Sequence, residues 1–340
     1  MIFCYDIVMK KVVLVQMIWN GMKYIPESFA SMVNQTYSNT EIIAVINGNE
    51  DGGKEYIQQH FPGVKIIDPG ENLRFVRGHN LIFSTIDADL FQLVNQDLIL
   101  EPTYVEEMVK AFEDPTVGAA NGKIYQYNFD THTKSRILDT TGVVISKTGR
   151  GRSRGQNELD NNQYDHKVDI IAVDGAACMY SKQALEDVKY SRPDGRVEYF
   201  DIDFEMYWED VDLAWRMVNS GWKCLFVPTA IGYHGRTAGA SPGGYKKVWA
   251  FIQHHKKIAD WILQYNYKNH IFLIIKNSPK WYWQFFVREF FYQIYVLCIE
   301  TRTLKVLPRF FSQLPLMWYK RKYIQAHRKI STEEMEKLLS

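Results

Sequence analysis

The chain has 340 residues, of which 46% are apolar and 23% charged, with a formal net charge of +1. That is enough for one large domain or a domain with an appendage, and it excludes a disordered chain, which would be less apolar and more highly charged. With 21 Gly and 11 Pro, collagen-like and low-complexity chains are excluded too. Cys4, Cys178, Cys224 and Cys298 lack paired spacing, so neither a zinc knuckle nor a disulfide framework is expected, and a reducing compartment is. The small net charge conceals an asymmetry. Residues 245–340 carry 17 of the 40 Lys and Arg, 6 of the 39 Asp and Glu, and 21 of the aromatics. The change falls near Pro242-Gly243-Gly244 and predicts two parts, residues 1–240 and 241–340.

In chain order, Val12–Ile18 reads as a buried strand rather than a leader, since the run is short and lacks a small-residue cleavage site. A helix over about Lys23–Asn34 follows, then a strand at Ile42–Ile46. Next come a helix around Lys54–His60, a strand at Val64–Ile67, a helix over about Val76–Ile86 and a strand at Leu90–Val94. This alternation predicts an α/β fold with a mostly parallel sheet covered on both faces. Residues 118–172 read as a less regular excursion of short β-like pieces, with a basic stretch at Arg150, Arg152 and Arg154. A short helix over about Lys182–Val188 and an amphipathic helix opening at Tyr207-Trp208-Glu209-Asp210-Val211-Asp212 come next. The strand Lys223–Val227 follows, with His234 in a loop beyond it. After Tyr245 the chain reads as helices. Trp281–Ile299 approaches membrane-span length, but Arg288 and Glu289 at its middle favour a helix lying in a membrane plane or docked in a groove. The basic cluster Lys320-Arg321-Lys322 follows it.

Ligands in such sheets bind beyond the carboxyl ends of the strands. Asn95-Gln96-Asp97 ends one strand there, where a carboxylate suits a hard divalent cation; a plain strand-ending turn reads as well. Glu209, Asp210 and Asp212 suit the positive end of a helix, and Asp201 and Asp203 add acid just upstream. A partly desolvated carboxylate among them can act as a general base. The Asn47–Gly53 loop and Asn72–Asn80 (NLRFVRGHN) offer polar groups to a nucleotide. No G-x-G-x-x-G or G-x-x-x-x-G-K-[ST] follows a strand, which sets aside dinucleotide-dependent hydride transfer and P-loop chemistry.

In order and spacing, these pieces over about residues 11–238 resemble the family 2 glycosyltransferases of the GT-A fold, in their rhamnosyltransferase-like bacterial subgroup. The carriers are Asn34-Gln35-Thr36-Tyr37, the Asn47–Gly53 loop, Asn72, Phe75, Gly78 and Asn80, and Asn95-Gln96-Asp97 in place of the metal motif. Gly175-Ala176-Ala177, Glu209-Asp210-Val211-Asp212-Leu213, Pro228 and His234 complete the set. The resemblance implies metal-assisted, inverting sugar transfer from a nucleoside-diphosphate sugar to a glycan or lipid-linked acceptor in cell-surface polysaccharide synthesis. It assigns Asp97 and His234 to Mg²⁺ or Mn²⁺, Asp210 as base, and Glu209 to position the acceptor or the base. Asn47, Asp51, Asn72, Arg77, Asn80 and Asn95 fall to a dTDP- or UDP-sugar, and Gly175, Ala176 and Trp208 to the acceptor side. Ile46, Arg74, Ile202 and Glu205 depart from the pattern: many members carry an acid at Ile46 and a Gly at Arg74. An inactive nucleotide-sugar-binding scaffold on the same fold is the alternative. The basic, aromatic tail is expected at a membrane surface rather than on nucleic acid, with the protein cytoplasmic and peripheral at the inner face of the membrane.

Overall fold

A computed structural model describes residues 9–235 and 258–340. Cys4, the junction at Pro242–Gly244 and the boundary at 240/241 lie outside them. The first strand, β1 (Val12–Trp19), is buried and alternates its side chains between two cores. Val12 and Leu14 face a layer of three helices: α1 (Ile25–Val33), α2 (Gly53–His60) and α4 (Tyr104–Ala111). Val13 and Val15 face α3 (Arg74–Thr85), α5 (Lys182–Val188) and α6 (Glu209–Asn219). Strands β2 (Thr40–Gly48), β3 (Lys65–Ile67) and β4 (Leu90–Leu93) complete the parallel half, in the order β3-β2-β1-β4. Gly78 lets α3 approach β1, because a Cβ there would lie 2.6 Å from Met17 Sδ.

Beyond β5 (Leu98–Leu100), the segment expected to be irregular contains a 12-residue strand, β6 (Val117–Asn128), inside the main sheet. Gly118, Asn121 and Gly122 mimic a turn in sequence. Yet Asn121 is buried, its amide donating to the Gly122 carbonyl (2.8 Å) and accepting from Asp174 N (2.7 Å). Strand β7 (Thr133–Thr140) pairs with β6, and β8 (Val143–Ile145) with β9 (Gly151–Ser153). Strands β10 (Asp169–Ile170) and β11 (Cys178–Ser181) follow, β11 lying antiparallel between β4 and β6. The small ribbon of β12 (Tyr190–Ser191) and β13 (Val197–Glu198) precedes α6. The last strand, β14 (Lys223–His234), runs parallel to β6.

After residue 257 come α7 (Asp260–Asn277), α8 (Trp283–Cys298), a 3₁₀ turn at Thr301–Val306, α9 (Leu307–Ala326) and α10 (Thr332–Leu338). Phe272 and Leu273 of α7, Met317 of α9 and Met335 of α10 join the core on the α6 face of the sheet. Charge reinforces the seam. Lys276 Nζ lies 2.5 Å from Asp201 Oδ2 and 2.7 Å from Asp212 Oδ1, and Lys320 Nζ lies 2.5 Å from Asp201 Oδ1 and 2.7 Å from Asp203 Oδ2. Burial opposes charge on Asp201, but the two ammoniums outweigh it and hold its carboxyl well below the usual range. Asp201 and Asp203, read from sequence as extra acid for the helix that follows, are thus engaged by the C-terminal helices. Within the cluster Lys320-Arg321-Lys322, Lys320 is buried and Arg321 donates to the Ile275 (2.6 Å) and Ser278 (2.9 Å) carbonyls. Arg154 is likewise internal, bound to the Thr141 (2.9 Å) and Lys167 (2.8 Å) carbonyls.

Candidate active site

The strand order puts the carboxyl ends of β1 and β4 side by side, with β2 on the far side of β1. Trp19 N donates to Gln96 Oε1 (3.1 Å) across that gap. Gln16, buried in β1, donates to Ser28 Oγ (2.6 Å) and to the Asn95 carbonyl (3.0 Å). The turn Asn95-Gln96-Asp97 is therefore fixed to the central strand. Gly21 lies beside it, where a Cβ would meet Gln96 Oε1 at 2.6 Å and displace that side chain.

Asp97 Oδ1 lies 3.1 Å from His234 Nε2, and His234 Nδ1 lies 2.8 Å from Asp139 Oδ2. His234 is on a strand, not in the expected loop: β14 shifts register between Val227 and Ile231, past Pro228, then continues beside β5 and β6 to His234. Burial alone would lower the His234 pKa; the carboxylates of Asp139 and Asp97 overcome this and push it up to about 10. Asp139, at the end of β7, was not among the residues expected at the site.

Gly175 and Ala176 join this turn to the start of α6. Asn95 N donates to the Ala176 carbonyl (2.9 Å), and Gly175 N donates to Asp210 Oδ2 (2.7 Å). Val211 N also donates to Asp210, at Oδ1 (2.8 Å). A Cβ on Gly175 would sit 3.1 Å from Asp210 Oδ2. Burial, then the nearby charge of Asp174, pushes the Asp210 carboxyl up to about 6, against the backbone donors that hold it down. Glu209 is buried, Oε2 has no hydrogen-bond partner, and burial followed by the charge of Asp210 drives its carboxyl well above the usual range. Both adjacent acids thus bind their protons more tightly than free carboxylates do. Asp174, adjacent to Gly175, was not singled out in the sequence although its place in Asp174-Gly175-Ala176 pointed to it.

The loop before α6 is strained. Glu205, Tyr207 and Trp208 all have positive φ (60°, 70° and 73°). Helix α7 holds it in that state. Asn269 Nδ2 is shared among the carbonyls of Phe204 (2.8 Å), Met206 (2.9 Å) and Tyr207 (2.9 Å), while Trp208 Nε1 donates to Asn266 Oδ1 (3.0 Å). Asn269→Ala is expected to destabilise the protein by about 2–3 kcal/mol, because it strands buried carbonyls of a strained loop. Denaturant unfolding reads the loss. Arg74 and Glu205, two of the departures from the family pattern, bind each other at 2.9 Å. Arg74 keeps a glycine-like φ of 55°, and Arg309 and Tyr265 also contact Glu205.

The expected donor residues lie around the ends of β2 and α3. Asp51 joins the loops after β1 and β2, accepting from Met22 N (2.7 Å) and Gly53 N (3.1 Å). Asn47 accepts from Leu73 N (3.0 Å) and Asn72 from Arg74 N (2.8 Å), shaping the entry to α3. Arg77 donates to the Asn72 carbonyl (3.2 Å) from an exposed position. The Asn80 amide faces inward instead, exchanging two 2.8 Å hydrogen bonds with the Phe200 backbone. Among the described residues, no group of three or more His, Cys, Asp or Glu is arranged to hold a metal ion. Asp97 with His234 is a two-ligand arrangement of the kind a divalent cation shares with substrate phosphates.

A protein called "Uncharacterized glycosyltransferase" from Haemophilus influenzae is 33% identical over 98 residues, 28% of this chain and 30% of that one. The chain thus spans less than a third of that relative. An N-acetylglucosaminyl-diphospho-decaprenol L-rhamnosyltransferase from Mycobacterium tuberculosis is 22% identical over 275 residues, 74% of this chain and 80% of that one. The crystal structure of GalNAc-T7 with UDP, GalNAc and Mn²⁺ superimposes with a TM-score of 0.55 at 14% identity, covering 79% of this chain and 48% of that one, a likeness of fold. The α/β architecture is the GT-A fold. The family model for Glycosyl transferase family 2 matches residues 15–189, just over half of the chain, so the chain belongs to that family.

Proposed function

We propose that the protein is an inverting glycosyltransferase that moves a sugar from a UDP- or dTDP-sugar to a hydroxyl of a glycan or lipid-linked acceptor in cell-surface polysaccharide synthesis. The observation that carries this reading is the Gly175–Ala176 bridge, which couples the Asp97–His234 pair to the Asp210–Glu209 pair through backbone hydrogen bonds. The acceptor oxygen bonds to the anomeric carbon, the bond from that carbon to the diphosphate oxygen breaks, and its electron pair leaves with the nucleoside diphosphate. Asp210 takes the acceptor proton at Oδ1 or Oδ2, and a single displacement inverts the anomeric centre. Glu209, buried beside it, positions the acceptor or the base.

The residues fit a divalent cation. Asp97 and His234 Nε2 would hold Mg²⁺ or Mn²⁺, and Asp139 on Nδ1 would fix the ring, the usual outer-shell arrangement of a metal-bound histidine. Such an ion, when bound, compensates the charge of the departing diphosphate. Asn47, Asp51, Asn72 and Arg77 shape the donor side, with Asn95 at the turn below. Asn80 acts on that side through the Phe200 backbone. Trp208, Gly175 and Ala176 face the acceptor side. The rhamnosyltransferase relative and the UDP of the GalNAc-T7 structure are in keeping with the proposed donors and lipid-linked acceptor. Calorimetric titration with UDP and dTDP tests the metal half. Binding is expected to need Mn²⁺ or Mg²⁺ and to weaken at least about tenfold in Asp97→Ala. Equal affinity in chelator, or in the variant, contradicts the assignment.

A further inference from the structure

The face of α8 turned away from the protein is apolar along its whole length. Every exposed position of the helix is hydrophobic, including Trp283 (70% exposed), Phe286, Phe290 (62%), Phe291, Ile294 and Leu297. The spacing 283, 286, 290, 294, 297 is that of one helical face. The polar residues point inward instead: Arg288 meets Glu289, which is buried, and Gln293 accepts from Tyr267 (2.7 Å). The face continues onto α9, because Trp281 packs 6.0 Å from both Phe286 and Trp318, and Phe311 is exposed there as well. A solvent face of this kind does not persist uncovered on a soluble monomer.

Charge decides what covers it. From Trp261 to Thr332 the only acids are Glu289 and Glu300, and both are buried. Within that stretch the exposed charges are basic, among them Lys305 after α8 and Lys322 near the end of α9. A second copy of the chain would bring like charges together, whereas an anionic leaflet attracts them. Trp and Phe in a basic setting are the chemistry of a helix seated among lipid headgroups. Helix α8 has 16 residues, and no described helix is long and apolar enough to cross a membrane.

We propose that the outer face of α8, extended by Trp318 and Phe311 of α9, seats the protein on an anionic bilayer surface without spanning it. This seat is independent of the sugar-transfer chemistry. It also accounts for how an enzyme of a lipid-linked acceptor would meet its substrate: α7, which holds the loop before α6, lies next in the chain to α8.

Flotation of the full chain with phosphatidylglycerol–phosphatidylethanolamine vesicles tests it, with phosphatidylcholine vesicles as the neutral control. The wild type is expected to float with the anionic vesicles, and less so in high salt. Phe286→Ser with Phe290→Ser, both solvent-facing, is expected to lower partitioning at least about tenfold, with thermal unfolding unchanged. Lys305→Glu with Lys322→Glu is expected to lower it at least about fivefold without touching an apolar residue. The proposal is overturned if the wild type fails to float with anionic vesicles, or if the serine variant floats equally well. It is also overturned if the wild type is a dimer that the serine variant dissociates while neither binds vesicles; a second copy then covers the face.

Discussion

Asp210→Asn is expected to lower the transfer rate by about 10³-fold while the protein remains folded. Asparagine keeps the size of the side chain, but its single carbonyl oxygen can accept from only one of Gly175 N and Val211 N, which donate to Asp210 Oδ2 (2.7 Å) and Oδ1 (2.8 Å), so one backbone hydrogen bond is lost with the basic group. The stranded backbone N–H costs about 1–3 kcal/mol, which offsets the gain from removing a buried charge. The folded pKa of Asp210 is raised to about 6, so the folded state binds the proton more tightly than the unfolded chain does. Stability from this group is therefore full below the ordinary Asp range and lost as pH rises to about 6, so removing the charge above that pH gains up to about 3 kcal/mol. The wild-type rate is expected to fall with decreasing pH below about 6, as Asp210 takes up its proton. A pH–rate profile with a limb near 6 in the wild type, together with thermal melts of the variant, checks both halves. A variant that retains more than a tenth of the rate, or that unfolds, contradicts the role of Asp210.

Lys276→Met is expected to destabilise the fold by about 3–5 kcal/mol. Lys276 is fully buried and stands between Asp201 and Asp212, so its loss strands carboxylate charge in the core. The effect spreads to activity, because Asp212 belongs to the helix that begins at Glu209 and Asp210 and is also held by Asn277 Nδ2 (2.8 Å) and Arg216 Nε (3.1 Å). The carboxyl of Asp201 lies well below the usual range in the folded state, so its contribution is complete above the ordinary Asp pKa. It is lost only as pH falls below that value toward the folded one. The deficit of Lys276→Met should thus be large at neutral pH and shrink on acidification. Urea unfolding at pH 7 and at pH 3 measures it, and a deficit under about 1 kcal/mol at neutral pH would show that the seam does not depend on this ammonium.

The first half of the fold was legible because its strands are apolar runs and its helices carry a regular apolar face. The predicted elements from Val12 to Val94 match β1 to β4 to within a few residues. The legible part of the candidate site is local: Asn95-Gln96-Asp97, Gly175-Ala176 and Glu209-Asp210 each show in a few consecutive residues. What could not be read depends on distant partners. Strand β6 was hidden because Asn121 and Gly122 look like a turn until Asp174 supplies a partner for the buried amide. The continuation of β14 to His234 was hidden by the break at Pro228. Asp201 and Asp203 looked like site acids because nothing local reveals that Lys276 and Lys320, 75 and 119 residues from Asp201, come to meet them. Arg74 and Glu205 looked like two separate departures, 131 residues apart, and are one ion pair. Asn266 and Asn269, in a helix placed on sequence grounds in a separate region, brace the loop of the site.

The most direct measurement is release of nucleoside diphosphate from a panel of nucleotide sugars, with Mn²⁺ or Mg²⁺ and a cell-envelope lipid extract as acceptor. The wild type would be compared with Asp97→Ala and Asp210→Asn. The account predicts metal-dependent turnover of one UDP- or dTDP-sugar in the wild type, lost in both variants. Tight nucleotide binding with no turnover on any donor would contradict it and leave a nucleotide-sugar-binding scaffold on the same fold.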